Sequence, residues 1–360
     1  MSTSFLYPTQ FLLEVEYATV YFMQGFWGTL PKPFFALAPL ADVTDAAFRR
    51  IIAKYSKPDG LATTSEANFV MYTEFVSADG LALAPEEGRA KLMRDLIYSE
   101  GERPIVAQFF SSTPEYMEKA AALAQELGFD GVDINMGCPI DTIVDQGSGA
   151  ALIKNSALAV SMIEAAQRGA PNLPVSVKTR LGYNTDILEE WLPALLSAKP
   201  AAIALHARTR KEMSKVPAHW ERIRRAVEIR NEVKSETLII GNGDVLDLED
   251  AKAKAEVSGA DGVMLGRAIF GKPWLFSETF QHSVECWNVE KRLKVAVEHT
   301  QLFEELLGDI KSFAIMKKHF KAYVEGFSGA KELRMELMEA KSAGDVERIV
   351  ENFLSKSALA

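Results

Sequence analysis

Cysteine is almost absent from this chain of 360 residues: Cys138 and Cys286 are the only two. Two thiols cannot build a disulfide framework, so the sequence predicts a reducing, cytoplasmic setting and leaves any cysteine chemistry to a free thiol. No partner cysteine lies near Cys138 in the sequence, and no metal site is expected there. No uninterrupted apolar stretch reaches membrane-spanning length, and no Lys/Arg-rich start precedes an apolar core and a cleavage site. Neither membrane insertion nor export is expected. An excess of positive charge is missing too, since the formal net charge is -9. That excludes a protein coated in nucleic acid over its whole surface but leaves room for a local basic face.

What is present, 48% hydrophobic and 25% charged residues, suits a globular chain with a sizeable core. Residues 1–22 carry Phe5, Leu6, Phe11, Leu12, Val15 and Val20 without clear periodicity. Residues 1–33 are therefore read as an N-terminal extension with no assigned role, and Met23 as an alternative start. From Phe34 onward, short β-rich apolar runs recur at 34–38, 60–64, 104–109, 130–134, 174–178, 201–205, 237–240 and 261–265. Segments with apolar residues at three- and four-residue spacing separate them, among them 114–127 and 157–168. Eight such alternations predict an α/β fold, a TIM (β/α)8 barrel over residues 34–280. Residues 65–103 exceed an ordinary connection and are expected to hold an extra helix or an active-site loop. After Trp274 consecutive amphipathic helices follow, broken near residues 326–329, so residues 281–360 are predicted to form a C-terminal all-helical domain.

Barrel enzymes keep their sites at the C-terminal ends of the strands, and unusual polar residues collect there in this sequence. They are Ala38-Pro39-Leu40, Ser65-Glu66, Gln108, Asn135 with Gly137-Cys138-Pro139, Lys178-Thr179-Arg180, His206-Ala207-Arg208-Thr209, Gly241-Asn242-Gly243-Asp244 and Gly266-Arg267. The last two follow the final strands, where barrels bind phosphate through backbone N–H groups; alone, Gly-Asn-Gly-Asp is an ordinary turn, but with Gly266-Arg267 it points to a phosphate-bearing cofactor. Lys178 ends an apolar strand, where a cation needs an anionic or electron-rich partner; a reduced flavin is one and a neighbouring carboxylate another. Cys138 reads as a catalytic thiol, with inert packing as the alternative. His206 is either a core imidazole or a hydrogen-bonding partner of cofactor or substrate. Arg208, Arg210, Lys211 and Lys215 form a local basic cluster suited to phosphate contacts.

Together these segments resemble the tRNA-dihydrouridine synthase family from about Phe34 to the end of the chain. Residues 38–45 resemble its opening motif, and Asn135 to Pro139 with residues 146–152 resemble the segment bearing its proton-donating cysteine. Residues 206–210, 241–244 and 261–274 match its barrel, and residues 317–320 through 333–334 its helical tRNA-binding domain. The resemblance implies FMN as cofactor, NADPH as reductant and tRNA as the partner, with no obligate protein partner. Hydride from the flavin would reach C6 of a uracil ring and Cys138 would protonate C5. It further implies that Ala38, Pro39, Leu40, Gln108, Lys178, His206, Asn242, Gly243, Asp244, Gly266 and Arg267 hold the flavin, and that Asn135, Arg180 and Arg208 hold the substrate. Lys317, Lys318, Lys321 and Arg334 would face tRNA phosphates, with ordinary surface charge as the alternative. Three positions depart from the family pattern: Leu40 where methionine is common, Ala207 where glycine is, and Asp141 where a basic residue often follows the Cys-Pro pair. A flavin-dependent dehydrogenase of a free pyrimidine is the alternative, and a non-catalytic RNA-binding barrel a third reading. A basic helical appendage argues against the first, and retention of Cys138, Lys178 and His206 against the second.

Overall fold

The computed structural model describes residues 24–57, 69–277 and 288–357. Eight strands close into a barrel in sequential order. They are β1 Phe34–Leu37, β2 Phe69–Ser77, β3 Ile105–Phe110, β4 Gly131–Met136, β5 Val175–Arg180, β6 Ala202–His206, β7 Leu238–Asn242 and β8 Gly262–Leu265. The pairing is parallel, with Phe35 opposite Phe69, Asn135 opposite Lys178 and Arg180 opposite His206. β1, β4, β7 and β8 are buried along their whole length. Burial on both faces is why they read as continuous apolar runs and not as alternating ones.

One expected strand is corrected. The second barrel strand is Phe69–Ser77, inside the stretch read as helix or loop. Its sequence, FVMYTEFVS, is rich in β-branched and aromatic residues and buried through Val76 except for Phe75, so its apolar character belonged to the barrel. The extra helices also exist, immediately after it, at Ala78–Leu83 and Glu86–Arg94. The expected run 60–64, the pair Ser65-Glu66, residues 1–22, Cys286 and the boundary at 280 and 281 lie outside the described residues.

The helices are α1 Ala46–Ser56, α2 Ala78–Leu83, α3 Glu86–Arg94, α4 Pro114–Glu126, α5 Asp141–Val144, α6 Ser156–Gly169, α7 Leu188–Ser197, α8 Trp220–Glu232 and α9 Leu248–Ser258. Four more follow: α10 Val289–Leu307, α11 Lys317–Tyr323, α12 Ala330–Glu339 and α13 Ala343–Ser357. Their starts obey local chemistry. Asp45 caps α1 by accepting from Phe48 N at 2.9 Å, Asn288 caps α10 through Lys291 N, and proline opens α4. The break expected near 326–329 is real, with both Gly326 and Gly329 at positive φ before α12. No helix among the described residues is long and apolar enough to cross a membrane.

Packing sorts the described residues into two compact units. One comprises 24–34, 109–241 and 255–262; the other comprises 35–57, 69–108, 242–254, 263–277 and 288–357. Within the second unit the C-terminal helices pack on α1 and the β2 region. Lys54 and Tyr55 both reach Glu298 at 2.6 Å, and the Phe48 ring stacks on His299 with centroids 4.8 Å apart. Lys311 bridges Glu74 at 2.6 Å and Asp95 at 2.8 Å. Beneath them, Arg49 and Glu102 form a fully buried pair at 2.7 Å.

Candidate active site

In the first unit the chain leaves β4 and turns sharply at Gly137-Cys138-Pro139. Asn135 Oδ1 accepts from the N–H of Gly137 at 3.1 Å and of Cys138 at 2.8 Å, so the strand's own side chain closes the turn. Cys138 O accepts from Ala150 N at 3.0 Å. At Gly149, where φ is +59°, an added Cβ would stand 2.9 Å from Cys138 O, so glycine is needed for this segment to close over the cysteine. The result is a buried free thiol. Burial pushes its pKa up, and the Ile140 hydrogen bond and the charges of Lys178 and Arg180 oppose that push without overcoming it. The thiol therefore stays protonated at neutral pH, the form in which it is an acid and not a nucleophile.

Two cations on β5 surround this loop electrostatically. Burial, then Arg180, push Lys178 down to about 8, with Asp133 and Cys138 pulling the other way. Asp133 is fixed by Ser176 Oγ at 2.6 Å. Arg180 is lowered to about 10, chiefly by burial, and keeps its charge. Its Nε donates to Gly137 O at 2.8 Å, and its Nη1 to Thr209 O at 3.2 Å and Met213 O at 3.3 Å. Three backbone carbonyls thus replace the water that burial removed. After β6, Arg208 Nε donates to Val216 O at 2.7 Å, and its Nη1 lies 3.2 Å from His206 Nε2. Because the guanidinium can only donate, His206 Nε2 accepts and its proton is assigned to Nδ1. Arg210 reaches Pro139 O at 3.4 Å and Asp141. Asp141, the acid where a basic residue is common, is therefore the counter-ion of Arg210.

In the second unit, Ala38 N donates to Leu265 O at 2.8 Å, and Leu40 N to Thr44 Oγ1 at 2.9 Å, beside Pro39. Gln108 is buried within β3, its N–H held by Thr73 Oγ1 at 3.0 Å. Asn242 Nδ2 donates to Met264 O at 2.8 Å. Gly243 and Asp244 follow at φ +128° and +47°, and Arg267, next to Gly266, pairs with Asp244 at 2.8 Å while staying largely exposed.

Sequence reasoning missed several charged and polar groups in the second unit. Lys311 and its partner Glu74 carry no motif. Asp45 is pushed up to about 7 by burial, then by Glu74, yet looks like an ordinary helix cap. His299 and His319 are fully buried, with ring centroids 4.5 Å apart, and three of their four ring nitrogens lack a hydrogen bond. Among the basic residues expected to face phosphates, Lys318 lies 3.4 Å from Asp42, and Arg334 donates to Val324 O at 3.4 Å. Lys321 is exposed and Lys317 half-buried.

Residues 36–358 match the family model described as Dihydrouridine synthase (Dus). The chain belongs to the dihydrouridine synthase family. The "Probable tRNA-dihydrouridine synthase 2" of Bacillus subtilis (strain 168) is 39% identical over 337 residues, covering 92% of this chain and 98% of its own length. The "Probable tRNA-dihydrouridine synthase" of Staphylococcus aureus (strain MRSA252) is 38% identical over 333 residues, covering 92% and 96%. Among solved structures, the histamine dehydrogenase from Rhizobium sp. 4-9 aligns with a TM-score of 0.47 at 12% identity, over 74% of this chain and 48% of that chain. As a dihydrouridine synthase the chain is an oxidoreductase, and the match to the family model takes in both the barrel and the C-terminal helices.

Proposed function

We propose that the chain reduces the C5–C6 bond of a uridine in tRNA, with FMN as cofactor, NADPH as reductant and Cys138 as the proton donor. The carrying observation is the setting of Cys138: a buried free thiol in a turn closed by Asn135 and tied to Arg180, with the charges of Lys178 and Arg180 acting on it. Bound FMN, reduced by NADPH, supplies the hydride that adds at C6. Addition there leaves negative charge conjugated through C5 to the C4 carbonyl, and a proton at C5 completes the two-electron, two-hydrogen reduction. Cys138 Sγ gives up that proton. Lys178 and Arg180, whose charges favour the thiolate, stabilise the sulfur left behind until solvent returns its proton.

The donor set fits a flavin. Lys178 is a desolvated cation suited to the electron-rich edge of the ring, and His206 a hydrogen-bonding partner. Asn242, Gly243, Asp244, Gly266 and Arg267 take the phosphate end, and Ala38, Pro39, Leu40 and Gln108 complete the cofactor's contacts. Asn135, Arg180 and Arg208 hold the uracil. Asn135 Oδ1 also closes the Cys138 turn, which fixes that side chain at the end of β4. The helices from Val289 to Ser357 form the grip on the tRNA body, with Lys317 and Lys321 as phosphate contacts. The uridine must leave its stack to reach the thiol.

The test incubates the purified chain with NADPH and tRNA lacking dihydrouridine, then measures dihydrouridine by nucleoside mass spectrometry and identifies the released cofactor. FMN and a dihydrouridine peak are expected. Reduction of free pyrimidine without reduction of tRNA would replace this reading with the free-base dehydrogenase, and an absence of flavin would remove the mechanism.

A further inference from the structure

Arg180 and Arg210 stitch together the loop after Cys138 and the loop after β6, and each loop carries an apolar side chain turned to solvent. Ile140 is 46% exposed and Met213 39% exposed, two of only a few large apolar residues so exposed among those described. A single exposed apolar side chain needs no explanation. Met213 has further features. Its backbone sits at φ +56°, a left-handed conformation unfavourable for a residue with a side chain, and its carbonyl is held there by Arg180 Nη1 at 3.3 Å. The fold thus accepts strain to present a flexible thioether on the loop after β6, which Arg180 ties to the Cys138 turn.

The charge around Met213 indicates what it meets. Lys211 and Lys215 flank it, both exposed and neither engaged in an ion pair. The only acid of that segment, Glu212, is used internally: it accepts from Thr209 N at 2.7 Å and Thr209 Oγ1 at 3.0 Å and faces His219 at 3.2 Å. An apolar tip between two unpaired cations, on a chain of net charge -9, suits a nucleic-acid strand: phosphates for the lysines and a base face for the methionine. We propose that Met213, with Ile140, is a wedge that fills the stacking gap left when the target uridine swings out, and that Lys211 and Lys215 hold the phosphates beside that gap. The wedge rests on the tRNA-reducing function above and adds to it the means by which the base is kept unstacked.

Met213→Gly tests it cleanly, because glycine accepts φ +56° without strain and the variant keeps its fold, checked by its melting temperature. Expected for Met213→Gly is a fall in kcat/KM on tRNA of roughly 5- to 150-fold, the range for losing one base contact. Met213→Leu should recover most of that loss. A fluorescent base analogue placed next to the target uridine should brighten when wild type binds, as the stack opens, and should stay dim with Met213→Gly. Lys211→Ala with Lys215→Ala should flatten the salt dependence of tRNA affinity by about one to two counterions while leaving that brightening in place. Unchanged kcat/KM and full brightening with Met213→Gly would overturn the wedge. A wild type that forms no dihydrouridine in tRNA would instead overturn the function on which it rests.

Discussion

Two buried clusters, one in each unit, treat ionisable groups in opposite ways. Beside Cys138, Arg180 is buried yet remains a cation, because three carbonyl oxygens from the loops after β4 and β6 take the place of water. On the C-terminal helices, His299 of α10 and His319 of α11 are buried without such partners, and burial drives both well below the usual imidazole range, His319 to about 3. A buried group keeps its charge where the backbone is shaped to receive it and surrenders the charge where it is not. In the first arrangement the charges of Lys178 and Arg180 act on the Cys138 thiol and favour its ionised form. The second serves packing: the imidazoles behave as flat aromatic plates, stacked and edged against Phe48.

Removing the group that the cations serve should have the largest effect. Cys138→Ala is expected to cut turnover on tRNA by about 10²- to 10⁴-fold, the loss typical of a positioned general acid. Flavin content and reduction by NADPH should be nearly unchanged. Rapid mixing of pre-reduced enzyme with tRNA isolates the step, and reoxidation at the wild-type rate with product formed would return Cys138 to a packing role.

Lys311, in the turn after α10, places a cation between two acids. Nearby carboxylates hold it well above the ordinary lysine range despite burial, and Glu74 is raised by burial with Lys311 opposing. Lys311→Met leaves Glu74 and Asp95 without their counter-ion and should cost about 3 kcal/mol, the lower end for breaking a buried pair. Urea unfolding reads this as a lower midpoint with an unchanged slope. A midpoint within error of wild type would mean the pair contributes no more than a surface bridge.

A smaller effect separates the imidazoles from the cations by pH. With a folded pKa of about 3 for His319 against an ordinary 6.5, the unfolded chain takes up the proton first, so stability is complete above 6.5 and falls as pH drops toward 3. Asp45, raised to about 7, works in the opposite sense, adding stability as pH falls from 7 toward its ordinary value. His319→Leu removes only the first contribution. Between pH 7 and pH 5 its loss of stability should be smaller than that of wild type by about 2 kcal/mol. Equal losses in the two proteins would show that His319 takes up its proton without unfolding.

Strands β3 to β8 were legible in the sequence to within two residues because parallel strands buried on both faces leave continuous apolar runs bounded by turns. β2 was misplaced because a run such as Phe69 to Val76 carries no periodicity that distinguishes strand from buried helix. The glycine-rich turns, Cys138 and the cations on β5 were visible because their chemistry is unusual at strand ends. The partners were not. Asn135 closing the Cys138 turn, Asp141 neutralising Arg210 and Lys311 reaching Glu74 join residues that, the first apart, stand far apart in the chain.

By itself, then, the sequence determined the barrel, the helical C-terminal segment and the family, and singled out the candidate groups at the strand ends, since these depend on local pattern and on residue type. Only the tertiary structure decided the state of those groups. Whether a thiol is an acid, whether a lysine is paired, and whether a histidine is a base or a plate in a core depend on desolvation and on which atoms lie within a few ångströms. Neither quantity is a property of neighbours in the chain; both are set when distant segments pack.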